Sequence, residues 1–204
     1  MAGLSLQTDA LVLLKQPPAD NFQGFTVFSV EQGVLPVLQR LSRKNPSAGA
    51  LDLFDEAGLL LESSNQGRTW FLREARLLVR HEGMGRNYDA VRFASALALL
   101  AARNPVLEES RPAVAALLRS AFAALASGPR PEVVFFKSLY RFARDEGYPV
   151  KQDWLARLPS RQRAAAGDAL NRPIAEQTAT PDAVADFTRQ LETYLRAQTE
   201  ILLD

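Results

Sequence analysis

The side chains that could carry out catalysis are few in this sequence. His81 is the only histidine and there is no cysteine, which excludes thiol nucleophiles and cysteine-ligated zinc or iron–sulfur sites. A Ser-His-Asp triad would have to use His81, and no G-x-S-x-G turn accompanies it. We therefore interpret His81 as a surface or linker histidine. We expect a protein that is not an enzyme and needs no cofactor.

Two further patterns have both a chemical and a structural interpretation. Asp52, Asp55 and Glu56 could serve as metal or acid–base carboxylates, but no histidine or second acidic cluster at ligand spacing accompanies them. Acidic residues and glycine are typical of turns, so we predict a β-turn over residues 55–58. The Gly83-Met84-Gly85 run lacks the remaining residues of a phosphate-binding loop, and we interpret it as a flexible joint between domains.

Cations cluster where a predicted strand ends. Arg40, Arg43 and Lys44 lead into the turn-forming run Asn45-Pro46-Ser47, and Arg68 lies in the loop before the last predicted strand. Loops of small five-stranded barrels bind nucleic-acid backbones, and cations there would neutralise phosphates. These four residues are our candidate DNA-binding set. The alternative, that they are ordinary solvated loop charges, is equally open.

Aromatic side chains in the same half of the chain have two interpretations. Phe22, Phe25, Phe28 and Trp70 could stack on bases. Because aromatic residues in strands are usually buried, we favour a core role for them.

A second basic stripe lies in the helical half. Lys137, Arg141 and Arg144 are spaced i, i+4 and i+7, which places them on one side of a helix. The interleaved apolar residues are Phe135, Leu139 and Phe142. A basic stripe beside an apolar groove suits an acidic peptide that ends in hydrophobic residues, so we predict a protein-partner site. The alternative is an ordinary solvated helix face.

The elements that position these residues fall into two groups. Before residue 85, short runs rich in Val, Leu, Phe and Thr are separated by turn residues, which is typical of strands. We predict strands at about 6–15, 24–31, 34–42, 50–63 and 69–79, and Glu31-Gln32-Gly33 after the second of them is typical of a tight hairpin. Five strands in this length are best protected by closing into a small barrel.

Helical periodicity follows. Apolar residues recur at i, i+3 and i+4 in the segments around 114–125, 133–143 and 184–195, and an Ala-rich helix is expected near 160–171. Thr180 followed by Pro181 is a helix-start signal. The predicted class is α+β, with a β-barrel at 1–82 and a helical domain at 86–204.

Composition sets limits on partners and location. The 204 residues are 47% apolar and contain 24 basic against 23 acidic side chains, so the overall charge identifies no partner. Residues 86–172 nevertheless hold 14 basic and 8 acidic side chains, which predicts a local basic surface. No signal peptide or run of membrane-spanning length is evident. We expect a cytoplasmic protein that does not bind membranes.

The order of these segments resembles a known family. TDALVLLK at 8–15 and GFTVFSVEQGVLPV at 24–37 are similar to the opening strands of the recombination mediator RecO. LDLF at 51–54, WFLREARL at 70–77, the Ala/Leu-rich helix at 90–102, GYP at 147–149 and a final amphipathic helix follow in family order. The basic loop lacks the family's usual Lys-Gly pair, and the cysteine-ligated zinc module is absent from this sequence. The resemblance is therefore to a zinc-less variant.

The resemblance implies a fold and a function. The N-terminal half would be an OB-fold and the rest a helical bundle. The protein would act in DNA repair and recombination by loading recombinase onto single strands and annealing complementary strands. Its partners would be single- and double-stranded DNA, the acidic C-terminal tail of single-stranded-DNA-binding protein, and RecR. The alternative is a RecO-like protein-interaction adaptor that has lost DNA binding, which fits the eight basic and eight acidic residues among the first 80.

Overall fold

The computed structural model describes residues 4–41, 51–63 and 66–203. It confirms the α+β class, with a five-stranded sheet followed by helices. The strands are β1 (Leu4–Lys15), β2 (Phe22–Ser29), β3 (Gly33–Arg40), β4 (Glu56–Ser63) and β5 (Trp70–Val79). The helices are α1 (Tyr88–Arg103), α2 (Arg111–Ser127), α3 (Pro131–Asp145), α4 (Ser160–Asn171) and α5 (Pro181–Gln198).

The five strands form a closed sheet in the order β1-β2-β3-β5-β4. Strand β1 pairs antiparallel with both β2 and β4, whereas β3 and β5 run parallel to each other. Alternate side chains along the strands point inward, as the pleat requires. Together with Leu51, which precedes β4, these side chains form a buried core: Ala10, Val12, Phe25, Val27, Leu35, Val37, Ala57, Leu59, Leu61 and Trp70. The aromatic residues Phe25, Phe28 and Trp70 are buried, as favoured from the sequence.

The predicted tight hairpin between the second and third strands is confirmed. Ser29 lies opposite Gly33 at the end of the β2–β3 ladder. The backbone N–H of Gln32 donates to the Ser29 hydroxyl over 3.0 Å. Gly33 has φ +72°, a left-handed conformation that glycine adopts without steric cost. The turn residues therefore fix the register of the β2–β3 pair.

The fourth strand begins later than predicted. Its first residue is Glu56 rather than residue 50, because Asp52–Asp55 form a turn in which Phe54 has φ +68°. The carboxylate of Asp55 accepts a hydrogen bond from the backbone N–H of Asp52 at 2.8 Å and closes this turn. The β-turn predicted at 55–58 was wrong, because Gly58 lies inside β4 opposite Asp9 of β1.

The helices begin and end close to the predicted positions. Thr180 accepts a hydrogen bond from the backbone N–H of Ala183, and Pro181 is the first residue of α5, so the predicted start signal is confirmed. Between α3 and α4 the chain makes one turn of π-helix at Val150–Trp154, which buries the Trp154 side chain. In the described part of the chain no helix is both long and apolar enough to cross a bilayer.

The chain divides into two compact units. One consists of Met1–His81 with Ala101–Ala115, and the other of Glu82–Leu100 with Ala116–Asp204. Gly83, Met84 and Gly85, interpreted from the sequence as a flexible joint, are part of a packed turn within the second unit. Met84 is buried, and a side chain at Gly83 would lie 2.6 Å from the Ala126 carbonyl oxygen.

Candidate functional site

A groove on the closed sheet brings together ends of all five strands. Its volume is about 490 Å³. We call it the sheet groove. Its lining residues are Leu4, Ser5, Phe22, Leu38, Arg40, Glu62, Ser63, Phe71, Leu72 and Arg73. Antiparallel and parallel pairing together bring the end of β3 and the starts of β2 and β5 to this place.

An aromatic pair lies in the sheet groove. The rings of Phe22 and Phe71 meet edge to face with their centroids 5.9 Å apart. The register explains the contact, because Phe22 lies opposite Arg40 and Phe71 opposite Leu38, two residues away on the same face of β3. Both phenylalanines are only half-buried. Phe22 is thus the one member of the predicted aromatic set that is available for stacking on a planar ligand.

Cationic side chains surround this pair. Arg40 is exposed and makes no ion pair with any carboxylate in the described part of the chain. Arg73 is paired with Glu62 at 2.8 Å, and both side chains remain about half exposed. Arg68 is exposed in the β4–β5 connection, next to Gly67. Arg43 and Lys44, the other two predicted DNA-binding residues, lie outside the described residues.

The position of Arg68 is set by a turn that is held near the sheet groove. Gly67 has φ +82°, and its backbone N–H donates to the Ser63 hydroxyl over 2.9 Å. A side chain at this glycine would lie 4.0 Å from Leu4, one of the groove residues. The structure therefore places Arg68 on a connection beside the groove that Arg40 lines.

A second groove lies among the helices of the second unit. Its volume is about 280 Å³. We call it the helical groove. Its lining residues are Leu117, Ser120, Ala121, Ala124, Val134, Lys137, Ser138, Tyr140, Arg141, Arg144, Leu170, Asn171 and Ile174. All three predicted protein-partner residues of α3 therefore line one groove.

The cations of the helical groove have partners of their own. The Lys137 ammonium donates to the Arg172 carbonyl oxygen over 2.6 Å. Partial burial lowers the pKa of Lys137, because desolvation disfavours the charged form. Arg141 and Arg144 both pair with Asp145, at 3.3 and 2.6 Å. One carboxylate thus orients two guanidinium groups and leaves the stripe with a surplus of positive charge.

The apolar lining of this groove differs from the one predicted. Phe135, Leu139 and Phe142 are buried in the core. They lie two residues before or after the basic positions, and two residues rotate a helix by roughly 200°, so the two stripes face opposite sides of α3. The apolar surface instead comes from α2 and from the end of α4 with the segment that follows it, including Leu117, Ala121, Ala124, Leu170 and Ile174.

Sequence reasoning missed Phe71 and Arg73 as groove residues. The sequence shows that Phe71 and Arg73 are two residues apart in a predicted strand. No sequence pattern showed that Phe71 would contact Phe22 of another strand. The groove residues of α2 were missed for the same reason. Pairing between distant segments creates both sites.

His81, Asp55 and Glu56 are the titratable residues for which the sequence favoured a structural role over a catalytic one. His81 is half-buried, and desolvation lowers its pKa although Asp55 and Glu56 oppose that shift. Asp55 is buried and accepts two hydrogen bonds from Arg80, at 3.0 and 2.5 Å. Among the described residues, no group of three or more His, Asp or Glu side chains could hold a metal ion. Asp55 therefore has a clear structural role at the beginning of β4.

Comparison with known proteins leaves the chain without an assigned family. No family model matches the sequence. No curated protein matches it either. Functional inference therefore depends on the two grooves themselves.

Proposed function

We propose that this protein is a RecO-like recombination mediator of DNA repair. In this proposal it binds DNA on the sheet groove and the acidic tail of single-stranded-DNA-binding protein in the helical groove. The observation that supports it best is the half-buried Phe22–Phe71 pair beside Arg40, which is exposed and has no ion-pair partner among the described residues. Aromatic faces with neighbouring cations suit a single strand, whose bases stack and whose phosphates require positive charge.

The proposed fold of the sheet is an OB-fold barrel. Support comes from the closed strand order β1-β2-β3-β5-β4 and from the parallel pairing of β3 with β5. A five-stranded Greek-key barrel of this kind presents strands and loops to oligonucleotides. Arg40 ends β3 and Arg68 occupies the β4–β5 loop, so these two predicted cations lie at strand ends near the sheet groove. Arg43 and Lys44 follow β3 in sequence.

The proposed mechanism involves no covalent step. Arg40, Arg43, Lys44 and Arg68 would hold phosphates by charge, largely independent of sequence, while Phe22 and Phe71 would stack on unpaired bases. An acidic peptide would place its carboxylates on Lys137, Arg141 and Arg144 and its apolar end on the α2 side of the helical groove. Binding both partners would bring the protein to coated strands, where annealing and recombinase loading with RecR take place in the cytoplasm.

The first test is fluorescence anisotropy of a labelled single-stranded oligonucleotide, titrated at several salt concentrations. We expect affinity that falls steeply with salt, because phosphate contacts release counterions. A protein carrying Arg40→Glu, Arg43→Glu and Lys44→Glu should bind far more weakly and with a smaller salt slope. A protein carrying Phe71→Leu should lose about 1–3 kcal/mol per stacked base while keeping the wild-type slope.

The control carries the same change in net charge elsewhere. Arg157→Glu, Arg161→Glu and Arg163→Glu alter exposed positions at and before α4, outside both grooves. This variant should bind the oligonucleotide as the wild type does. Equal loss in the two triple variants would place binding elsewhere, and absence of binding by folded wild-type protein at low salt would refute the DNA-binding proposal.

The second candidate is a RecO-like adaptor that binds only proteins. Glu62 within the sheet groove favours it, since its carboxylate already neutralises Arg73 at 2.8 Å. The equal numbers of acidic and basic residues in the first 80 point the same way. An adaptor of this kind would bind the acidic peptide with wild-type affinity in the Arg40, Arg43 and Lys44 triple variant and would not bind the oligonucleotide at all.

A further inference from the structure

The second half of β5 is exposed, and among the described residues no strand pairs with one of its two edges. In the described part of the chain β5 pairs with β3 only at Trp70 and Phe71, although its pairing with β4 continues to Val79. Between Arg73 and Val79 every residue except Ala75 is exposed. A strand of this kind offers unpaired N–H and C=O groups to any second strand.

The composition of this edge does not protect it. Leu77, Leu78 and Val79 are three consecutive apolar residues that are each more than one-third exposed. Adjacent strand residues point to opposite faces, so neither face of the strand is covered here. Natural edges are usually blunted by proline, bulges or inward charges. No proline occurs in β5, and its pairing with β4 is regular from Glu74 to Leu77, with register shifts only on either side of that stretch. An exposed apolar edge of this length is typical of an interaction surface.

The charges on the edge are complementary to themselves. In an antiparallel pairing about a two-fold axis at Ala75, Glu74 would lie opposite Arg76 of a second copy, and Arg76 opposite the second Glu74. Both side chains are exposed, and neither forms an ion pair with another residue in the ranges that the structure describes. Opposite charges at directly facing positions stabilise a strand pair, and like charges destabilise it.

We propose that the β5 edge over residues 72–78 pairs with the same edge of a second copy of this chain, antiparallel and centred on Ala75. The two-fold axis makes each favourable contact occur twice. The small side chain at the centre lets the two strands approach, and Glu74 with Arg76 sets the register. The apolar residues Leu77 and Leu78 extend along the new ladder toward Arg73 and Leu72 of the other copy. This inference does not depend on DNA binding, because neither Glu74 nor Arg76 lines the sheet groove.

The test measures self-association of the full chain by sedimentation equilibrium over a wide range of protein concentration. Wild-type protein should form a dimer. Glu74→Arg alone or Arg76→Glu alone should raise the dimer dissociation constant by roughly 30-fold, because two cross-strand pairs change from attractive to repulsive. The charge-swapped protein with both substitutions should dimerise as the wild type does.

A mixture of the two single variants tests the proposed register of the strand pair. Glu74→Arg chains present arginine at both positions 74 and 76, and Arg76→Glu chains present glutamate at both. The equimolar mixture should therefore form heterodimers at concentrations where each variant alone is mostly monomeric. Arg161→Glu on α4 is the control and should not change dimerisation. Circular dichroism verifies that each variant is folded. A wild-type monomer at every concentration overturns the proposal, as does a dimer that neither charge reversal weakens.

Discussion

The ion pair between Asp55 and Arg80 gives a stability prediction that the structure makes quantitative. The Asp55 side chain is 2% exposed and the Arg80 side chain 40% exposed. Arg80→Met would leave a buried carboxylate whose one remaining hydrogen-bond donor, among the described residues, is the N–H of Asp52. Breaking a buried pair from one side costs about 3–5 kcal/mol. Because Arg80 is partly solvated, we expect a loss near the lower end, about 3 kcal/mol.

The double variant Asp55→Asn with Arg80→Met gives the opposite expectation. It removes the buried, uncompensated charge at position 55, and the oxygen of the new asparagine amide can still accept the hydrogen bond from the Asp52 N–H. Replacing both members of a buried pair is often close to neutral. The double variant should therefore be more stable than Arg80→Met alone by about 1–2 kcal/mol, even though it carries one more substitution.

Urea unfolding followed by fluorescence measures both differences. In a Trp154→Phe background Trp70, which is buried in the sheet core, reports unfolding of the closed sheet. The midpoint and slope give the free energy of unfolding for each variant. Two results would contradict this reasoning: a loss of less than about 1 kcal/mol in Arg80→Met, or a double variant less stable than Arg80→Met. Either would show that Arg80 does not compensate the buried charge of Asp55.

Two further predictions concern the second unit. Gly83→Ala should destabilise the protein by about 1–3 kcal/mol in thermal or urea unfolding, because its new methyl group would meet the Ala126 carbonyl, whereas Gly85→Ala faces open space and should have little effect; equal losses would contradict the packed turn. For a fluorescent acidic peptide with an apolar C-terminus, affinity should fall as pH rises through the lowered pKa of Lys137, since the neutral amine no longer attracts carboxylate. Lys137→Arg should hold its affinity to higher pH, and identical pH profiles would refute the role of Lys137.

Local signals were enough to predict most elements. The Gln32-Gly33 turn and the alternation before it predicted the β2–β3 hairpin, because a two-residue period and a glycine in the left-handed conformation are properties of the local chain. Thr180 with Pro181 predicted the start of α5 for a similar reason. The helical spacing of Lys137, Arg141 and Arg144 correctly predicted that they would share one side of α3.

The sequence predictions were wrong where one local pattern is compatible with two structures. Asp55 and Gly58 are typical turn residues, yet Gly58 is in a strand, because pairing with β1 satisfies its backbone groups and the preceding residues make the turn instead. Phe135 and Phe142 were expected beside the basic stripe of α3. They are buried because a two-residue offset turns them to the opposite side of the helix, which the sequence alone would have shown.

The sequence by itself determined the class of the protein, the succession of strands and helices along the chain, the hairpin turn and the basic stripe of α3. Each depends on side-chain period and on backbone preferences that act within a few residues. Only the tertiary structure brought Phe22 to Phe71, Asp55 to Arg80, and α2 to the cationic side of α3. These contacts join segments far apart in the chain. Their partners are decided by strand order, register and burial of the common core, which no local pattern specifies.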